Sequence, residues 1–200
     1  DPFNCYFDYD ASGNNSIDFG FFNPNITEET PTCQLLDLPS GWSTFSTYML
    51  TENMEINVVL APIFDNIIIV KDYAGNAYLP DWGFNGIGAM EIGQGYQIKT
   101  YQGSSIDLCG EYLLPEIHPI DLSTGWNIIG YLRIEPAEIA AVLTDISDVG
   151  NLIIAKDYIG NAYLPEWDFN GIGDMAPGQG YQLKVVVEDS LHFLPNNQNY

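Results

Sequence analysis

The sequence predicts an α+β, β-rich protein of two tandem homologous modules, each with one helix packed on a small, mostly antiparallel sheet, preceded by an extended N-terminal arm. An internal repeat gives the number of modules, because 22 of 29 positions in residues 71–99 recur in residues 156–184. Short apolar runs between Gly-Asn and Asn-Gly pairs predict antiparallel strands joined by tight turns. We therefore divide the chain into the arm (1–34), the first module (35–115) and the second module (116–200).

Each module is predicted to open with a strand at its Gly-Trp pair, which in the first module covers residues 42–45. The run NIIIV at residues 66–70 is apolar on both faces, which is typical of a central strand. Gly75-Asn76 then predicts a hairpin turn. A late strand at residues 97–99 and a closing strand at residues 106–108 complete the module. The counterparts in the second module are residues 126–129, 151–155, 160–161, 182–184 and 191–193.

One helix is predicted in each module from helical spacing of apolar residues. In the second module residues 135–143 (EPAEIAAVL) have a proline and acids in the first turn, and Ile139, Val142 and Leu143 share one face. In the first module we expect Thr51 to cap the helix and Pro62 to end or kink it near its last turn. The apolar face of that helix would hold Ile56, Val59, Leu60 and Ile63.

The charge of the chain excludes some partners. It has 27 acidic and five basic residues, a formal net charge of −22, so it repels phosphate backbones and anionic lipid surfaces. We therefore expect no nucleic-acid partner. No run of about 18 apolar residues occurs, so no membrane span is predicted.

Three cysteines and two glycosylation-type sequons bear on localisation. Cys5, Cys33 and Cys109 are too few for a disulfide framework and match no zinc spacing. The sequons would be glycosylated at Asn14 and Asn25. We expect an extracellular or cell-surface protein, with a reducing cytosol as the alternative.

The arm contains a sequence similar to a calcium loop. Oxygen-bearing side chains fall at its first, third and fifth places and a glycine at its sixth, although the last carboxylate comes one place early for an EF-hand. The alternative is a solvated hairpin tip. A Ca²⁺ site here would use Asp8, Asp10, Ser12, Asn14 and Asp18.

The arm also has more aromatic surface than so short a segment can bury alone. It either folds back on its own first module, with Cys33 bonded to Cys109, or adds a strand to a neighbouring subunit. In the second case Cys5 is the candidate for an intersubunit link, or for a bond to Cys33. The rings expected to make the assembly contacts are Phe3, Tyr6, Phe7, Phe19, Phe21 and Phe22.

The repeated string has a functional and a structural interpretation. As a site, its acids and amides would form a cation or sugar pocket, and its rings would stack on a ligand. As a scaffold, its Gly and Asn residues form turns, its rings fill a core, and Lys71 pairs with a nearby acid; we favour this interpretation. The residues concerned are Asp72, Asn76, Tyr78, Asp81, Trp82 and Asn85, and their counterparts Asp157, Asn161, Tyr163, Glu166, Trp167 and Asn170.

Catalysis is not expected. His118 and His192 are the only histidines, and neither has a nucleophile or carboxylate partner that the sequence identifies. No GxSxG, GxxxxGK[ST] or HExxH string occurs. We therefore predict no enzymatic activity and no catalytic residue.

The combination of GW, KDYxGNAYLPxWxFNGIG and GQGYQ resembles a module that occurs in tandem in secreted and surface-exposed bacterial proteins. The resemblance covers residues 35–200 and does not extend to the arm. It implies an extracellular, modular, non-enzymatic part of a larger surface apparatus, and it names no ligand.

The preferred hypothesis is a structural subunit that polymerises with itself, head to tail, into an extracellular filament through the arm. The alternative is a carbohydrate-binding or adhesive module, with glycans as partners and Ca²⁺ as its one candidate cofactor. A hydrolase that uses paired carboxylates is the third hypothesis.

Overall fold

β-Strands dominate residues 32–199, the part of the chain that the computed structural model describes. Several antiparallel sheets and a few short helices make up this part, so the β-rich α+β class is confirmed. The predicted arm, apart from residues 32–34, lies outside the described residues. The strands begin at Thr32, within the segment assigned to the arm.

The first copy of the repeat, residues 35–115, contains eight strands, the first of which begins three residues earlier. They are β1 (Thr32–Leu38), β2 (Gly41–Phe45), β3 (Met49–Leu50), β4 (Ile67–Lys71), β5 (Ala77–Leu79), β6 (Phe84–Asn85), β7 (Tyr96–Thr100) and β8 (Ser104–Tyr112). They form a five-stranded sheet in the order β2-β7-β4-β5-β6 and a three-stranded sheet in the order β1-β8-β3. The helical segments are α1 (Ile56–Val59) and the 3-10 turns Ala61–Asn66 and Pro80–Trp82.

The described part of the second copy, residues 116–199, contains nine strands. They are β9 (Ile120–Leu122), β10 (Gly125–Gly130), β11 (Ala137–Glu138), β12 (Leu152–Lys156), β13 (Ala162–Leu164), β14 (Phe169–Asn170), β15 (Asp174–Met175), β16 (Gly180–Val185) and β17 (Asp189–Leu191). They form a five-stranded sheet with the corresponding order, β10-β16-β12-β13-β14, and the strand pairs β9-β17 and β11-β15. The helices are α2 (Ile139–Val142) and α3 (Thr144–Ser147), with 3-10 turns at Pro115–Ile117 and Pro165–Trp167.

The strands that are apolar on both faces lie in the middle of their sheets, as the sequence predicts. β4 pairs with β7 on one side and β5 on the other, and β12 pairs with β16 and β13. The predicted hairpin turn follows β4, where Gly75 has a φ of 90°. This left-handed backbone favours glycine because it has no Cβ.

The predicted helix starts are wrong in both copies. Ala137 and Glu138 are extended and pair with β15, so the helix begins only at Ile139, whose N–H donates to the Gly173 carbonyl at 3.0 Å. In the first copy the residue before the helix is Glu55, and the Thr51 hydroxyl donates to the Asn53 carbonyl. Local capping residues therefore do not determine where the helix begins, because pairing of the preceding residues with a distant turn is more favourable.

Each copy contributes its own hydrophobic core. The predicted helical face Ile139, Val142 and Leu143 is buried, and these side chains lie in a cluster drawn almost entirely from the second copy. Ile56, Val59, Leu60 and Ile63 are buried in the cluster of the first copy. The helical faces were therefore predicted correctly although the helix starts were not.

The two copies are joined by reciprocal backbone pairing. Gln94, just before β7, forms an antiparallel bridge with Ile129 of β10, and Gln179, just before β16, forms the same bridge with Phe45 of β2. Gly130 donates its N–H to the Gly93 carbonyl at 2.8 Å. In the equivalent contact, the backbone N–H of Ser46 donates to the Gly178 carbonyl at 3.0 Å. We call these contacts, made by the Gly-Gln-Gly segments 93–95 and 178–180, the interlock.

The interlock requires glycine because the two backbones approach closely. A Cβ on Gly95 would lie 2.5 Å from the Ile129 carbonyl oxygen. A Cβ on Gly130 would lie 2.8 Å from the Ser46 Cβ. Both distances are shorter than a carbon atom allows, so either side chain would push the two copies apart.

The tyrosine that follows each Gly-Gln-Gly is buried beneath the interlock. The hydroxyl of Tyr96 accepts a hydrogen bond from the Glu91 N–H at 2.7 Å, and that of Tyr181 from the Ala176 N–H at 2.8 Å. Burial raises the pKa of both phenols to about 12, although these hydrogen bonds partly oppose the shift.

We expect Gly95→Ala to lower the free energy of unfolding by about 1–3 kcal/mol because the methyl group overpacks the interlock. Chemical denaturation measures the change. Gly103→Ala is the matched control, since its Cβ would have no neighbour nearer than 3.9 Å, and it should stay within about 0.5 kcal/mol of the parent. Equal stability of the two variants would contradict the close approach.

Stability should also fall in alkali. The two phenols titrate near 10 when unfolded and at about 12 when folded. Their contribution is therefore complete below pH 10 and is lost as pH rises to about 12. Tyr181→Phe keeps the ring and removes one ionisable group, so its denaturation midpoint should fall less over this range. The control Tyr101→Phe changes an exposed ring, and its denaturation midpoint should fall as much as that of the parent. An equal fall for Tyr181→Phe would contradict the contribution of the buried phenol.

Candidate functional site

The solvent-facing side of each five-stranded sheet holds a tryptophan next to two lysines. Trp42 of β2 lies directly opposite Lys99 of β7. The ammonium groups of Lys71 and Lys99 lie 5.5 and 5.7 Å from the centre of its ring, which is cation–π distance. The second copy repeats the arrangement, with Lys156 and Lys184 at 5.4 and 5.8 Å from the ring of Trp126. We call each arrangement a Trp–Lys face.

Apolar side chains extend each Trp–Lys face across the sheet. In the first copy the register places Trp42, Lys99 and Ile69 in one row, and Leu79 opposes Phe84 beyond it. The alternate positions of the same strands point into the core, which leaves this row on the solvent side. Across five strands the row measures about 19 Å. The equivalent row contains Trp126, Lys184, Ile154, Leu164 and Phe169.

Both rows keep large rings in solvent. Trp42 and Trp126 are 46% and 48% exposed although lysines lie beside them, and Phe84 and Phe169 are each 52% exposed. Contiguous apolar surface of this kind marks an interaction site more often than chance. Each Trp–Lys face is therefore the candidate binding surface of its copy.

The charge of these faces differs from the rest of the chain. Their four lysines are four of the five basic residues, and the fifth, Arg133, is buried. Within residues 32–199 no carboxylate lies at ion-pairing distance from the four ammonium groups. The expected pairing of Lys71 with an acid is therefore wrong for the described chain. Lys71 contacts an indole instead.

Asp72, Asp157 and the asparagines of the repeated string are engaged in their own turns, whereas Asp81 and Glu166 are exposed in the 3-10 turns. The Asp72 carboxylate accepts hydrogen bonds from the backbone and side-chain N–H groups of Asn76, at 2.8 and 2.7 Å, and Asp157 does the same with Asn161. Asn85 accepts from the two backbone N–H groups that follow its turn, as does Asn170. These contacts favour the scaffold interpretation for the polar residues.

The aromatic residues of the string divide into two classes. Tyr78 and Tyr163 are buried, as the favoured scaffold interpretation predicts. Trp82 and Trp167 are 83% and 76% exposed and belong to the 3-10 turns beside the edge strands β6 and β14. These two indoles remain available for contact with a partner.

Many predicted site residues lie outside the described residues. They are the calcium candidates Asp8, Asp10, Ser12, Asn14 and Asp18, the sequon residues Asn14 and Asn25, the assembly residues Phe3, Tyr6, Phe7, Phe19, Phe21 and Phe22, and Cys5. The remaining cysteines, Cys33 and Cys109, form a disulfide between directly opposed positions of β1 and β8. This is one of the pairings that the sequence left open.

Two open surface cavities, of about 680 and 590 Å³, lie at similar places in the two copies. The smaller one contains His192 with Asp121, Glu188 and Asp189. A hydrogen bond from the Asn151 amide lowers the pKa of Asp189. The described residues contain no cluster of three or more His, Cys, Asp or Glu side chains that could hold a metal ion.

No protein-family model matches the chain, and neither does any curated protein or solved structure. Among the helices of residues 32–199, none is long and apolar enough to cross a lipid bilayer.

The Trp–Lys faces could have been found from the sequence only with the strand register. Their signal is that four of five basic residues recur at equivalent positions of the repeat. The partner of those lysines is a tryptophan far away in the sequence, on a strand that must first be paired with β7 or β16.

Proposed function

We propose that the chain is a non-enzymatic structural subunit of an extracellular surface assembly. In this proposal residues 1–31 connect one subunit to the next by strand addition, and the two copies of the repeat form the body of the subunit. The resemblance to tandem modules of secreted bacterial proteins supports the same function.

The anchoring of β1 by the disulfide between Cys33 and Cys109 is the observation that supports this proposal. This pairing was the one expected for an arm folded back on its own module, but the bond lies between β1 and β8 and so fixes only the point where the connector ends. β1 directly follows the connector segment and pairs over its whole length with β8, from Thr32 opposite Gly110 to Leu38 opposite Ser104. The disulfide adds a covalent link at the second pair of this ladder. A force applied to the connector would therefore pass through the disulfide to β8 before β1 could separate from β8. Disulfides of this kind also persist mainly in oxidising compartments, which supports an extracellular location.

Removal of residues 1–31 should abolish filaments and leave subunits that elute as monomers. Negative-stain electron microscopy and size-exclusion chromatography measure the two outcomes. The matched control replaces residues 1–31 by a Gly/Ser segment of equal length, which keeps the chain length and removes the rings. Filaments formed by either variant would show that the connector is not the means of assembly.

Glycan binding is a second candidate function, favoured by the exposure of Trp82 and Trp167. An indole in solvent offers a flat apolar surface against which the C–H face of a sugar ring can pack. Two such indoles occur at equivalent positions of one chain.

Trp82→Ala combined with Trp167→Ala should abolish binding of neutral glycans on an array without a loss of stability, since both rings are mostly in solvent. Tyr73→Ala, at an exposed ring outside the 3-10 turns, is the control. Repeating the array with a chelator tests whether the binding depends on Ca²⁺. Binding that survives the double substitution would exclude these two indoles as the contact.

A further inference from the structure

The Trp–Lys faces are unusual for a chain of net charge −22. A lysine on such a surface ordinarily has a carboxylate within reach. Here Lys71 and Lys99 instead lie beside Trp42, and no acid of the described residues pairs with either of them. Their positive charges are therefore available to an outside partner, and the same holds in the second copy.

We propose that each Trp–Lys face binds an acidic polysaccharide of the uronic-acid class. The sugar ring would pack its C–H face on the exposed part of the indole, and its carboxylate would accept hydrogen bonds from the two ammonium groups. This inference rests on the glycan-binding candidate above for the kind of ligand, names a ligand class, and adds a second surface, at Trp42 and Trp126, separate from Trp82 and Trp167.

Geometry supports a polymer rather than a single sugar. The row from Trp42 through Ile69 to Phe84 extends about 19 Å across the sheet, which is longer than one sugar ring. Its two ends carry half-exposed aromatic rings, and the lysines lie near the tryptophan end. A bound chain could therefore place one acidic sugar at the lysines and continue over the apolar residues.

The positive charge of the two ammonium groups favours a ligand of the uronate class. A neutral glycan would leave the two ammonium groups without a partner. Double-stranded DNA carries one charge for about every 1.7 Å of its length, and the acidic remainder of this chain would repel so dense a polyanion. A polyuronate carries one carboxylate for each sugar, so its charges are more widely spaced than those of DNA and a single carboxylate can occupy one face.

The duplication of the face adds avidity. One polymer, or two strands of a polymer network, can engage both copies, and the second contact then forms at a high effective concentration. Loss of one face should therefore weaken binding to long chains more than binding to short oligomers.

The test uses the full chain and isothermal titration calorimetry with an oligogalacturonate, with a neutral galactan oligomer of equal length alongside. Lys71→Gln with Lys99→Gln removes the charges of one face. We expect affinity at that face to fall about fivefold for each lysine, as for exposed ion pairs, and binding to weaken with added salt. The corresponding lysine-to-arginine variant should retain it. The control Asn197→Asp with Asn199→Asp makes the same net charge change at exposed residues and should bind like the parent.

Each other outcome overturns the inference. Binding of the neutral oligomer alone would reject the acidic ligand and leave the glycan-binding candidate in place. Binding of neither oligomer would also reject the acidic ligand, and the glycan array then decides the candidate at Trp82 and Trp167 separately. An equal loss of affinity in the lysine-to-glutamine and asparagine-to-aspartate variants would show that net charge alone explains the effect. Tighter binding to single-stranded DNA, or self-association abolished by Trp42→Ala, would assign the face to a nucleic acid or to a second copy.

Discussion

The interlock between the two Gly-Gln-Gly segments is the contact on which the described structure depends. Each segment pairs its backbone with the first sheet strand of the other copy, Gln94 with Ile129 and Gln179 with Phe45. The approach is so close that a single methyl group at Gly95 would meet a carbonyl oxygen. Because the bonds run in both directions, neither copy can shift without breaking contacts that it donates and contacts that it accepts. The two sheets are thereby held in one unit.

This contact explains why similarity between the copies is concentrated in residues 71–99 and 156–184. That string contains the hairpin turn closed by Asp72 and Asn76, the lysines of the Trp–Lys face, and the interlock segment with its buried tyrosine. The turns and the Trp–Lys face need particular side chains, and the interlock needs glycine, which has no side chain. The helices need only an apolar face, and so their sequences differ. The scaffold interpretation therefore accounts for the polar and glycine positions of the string, and the Trp–Lys face for its lysines.

Local signals predicted much of the fold. The central strands, the glycine turn and the buried helical faces were predicted from the periodicity of apolar residues and from turn residues a few positions apart. The helix starts were missed because Glu138 pairs with Asp174, and no local rule contains that partner. The exposure of Trp82 and the contact of Lys71 with Trp42 were missed for the same reason. Each depends on strand register, which pattern alone does not give. The connector residues, on which the assembly proposal is built, lie outside the described chain.

In the proposals above, folding, assembly and binding depend on separate residues, so a defect in one can be recognised without disturbing the others. The interlock involves backbone and glycine, and a change there acts first on stability. The disulfide of Cys33 lies near the start of β1, next to the proposed connector. The lysines of the Trp–Lys faces are on the solvent side and contribute no buried charge. A variant that loses ligand binding with unchanged stability must therefore act at a face. One that also lowers stability acts through the interlock, a hydrophobic core or the disulfide.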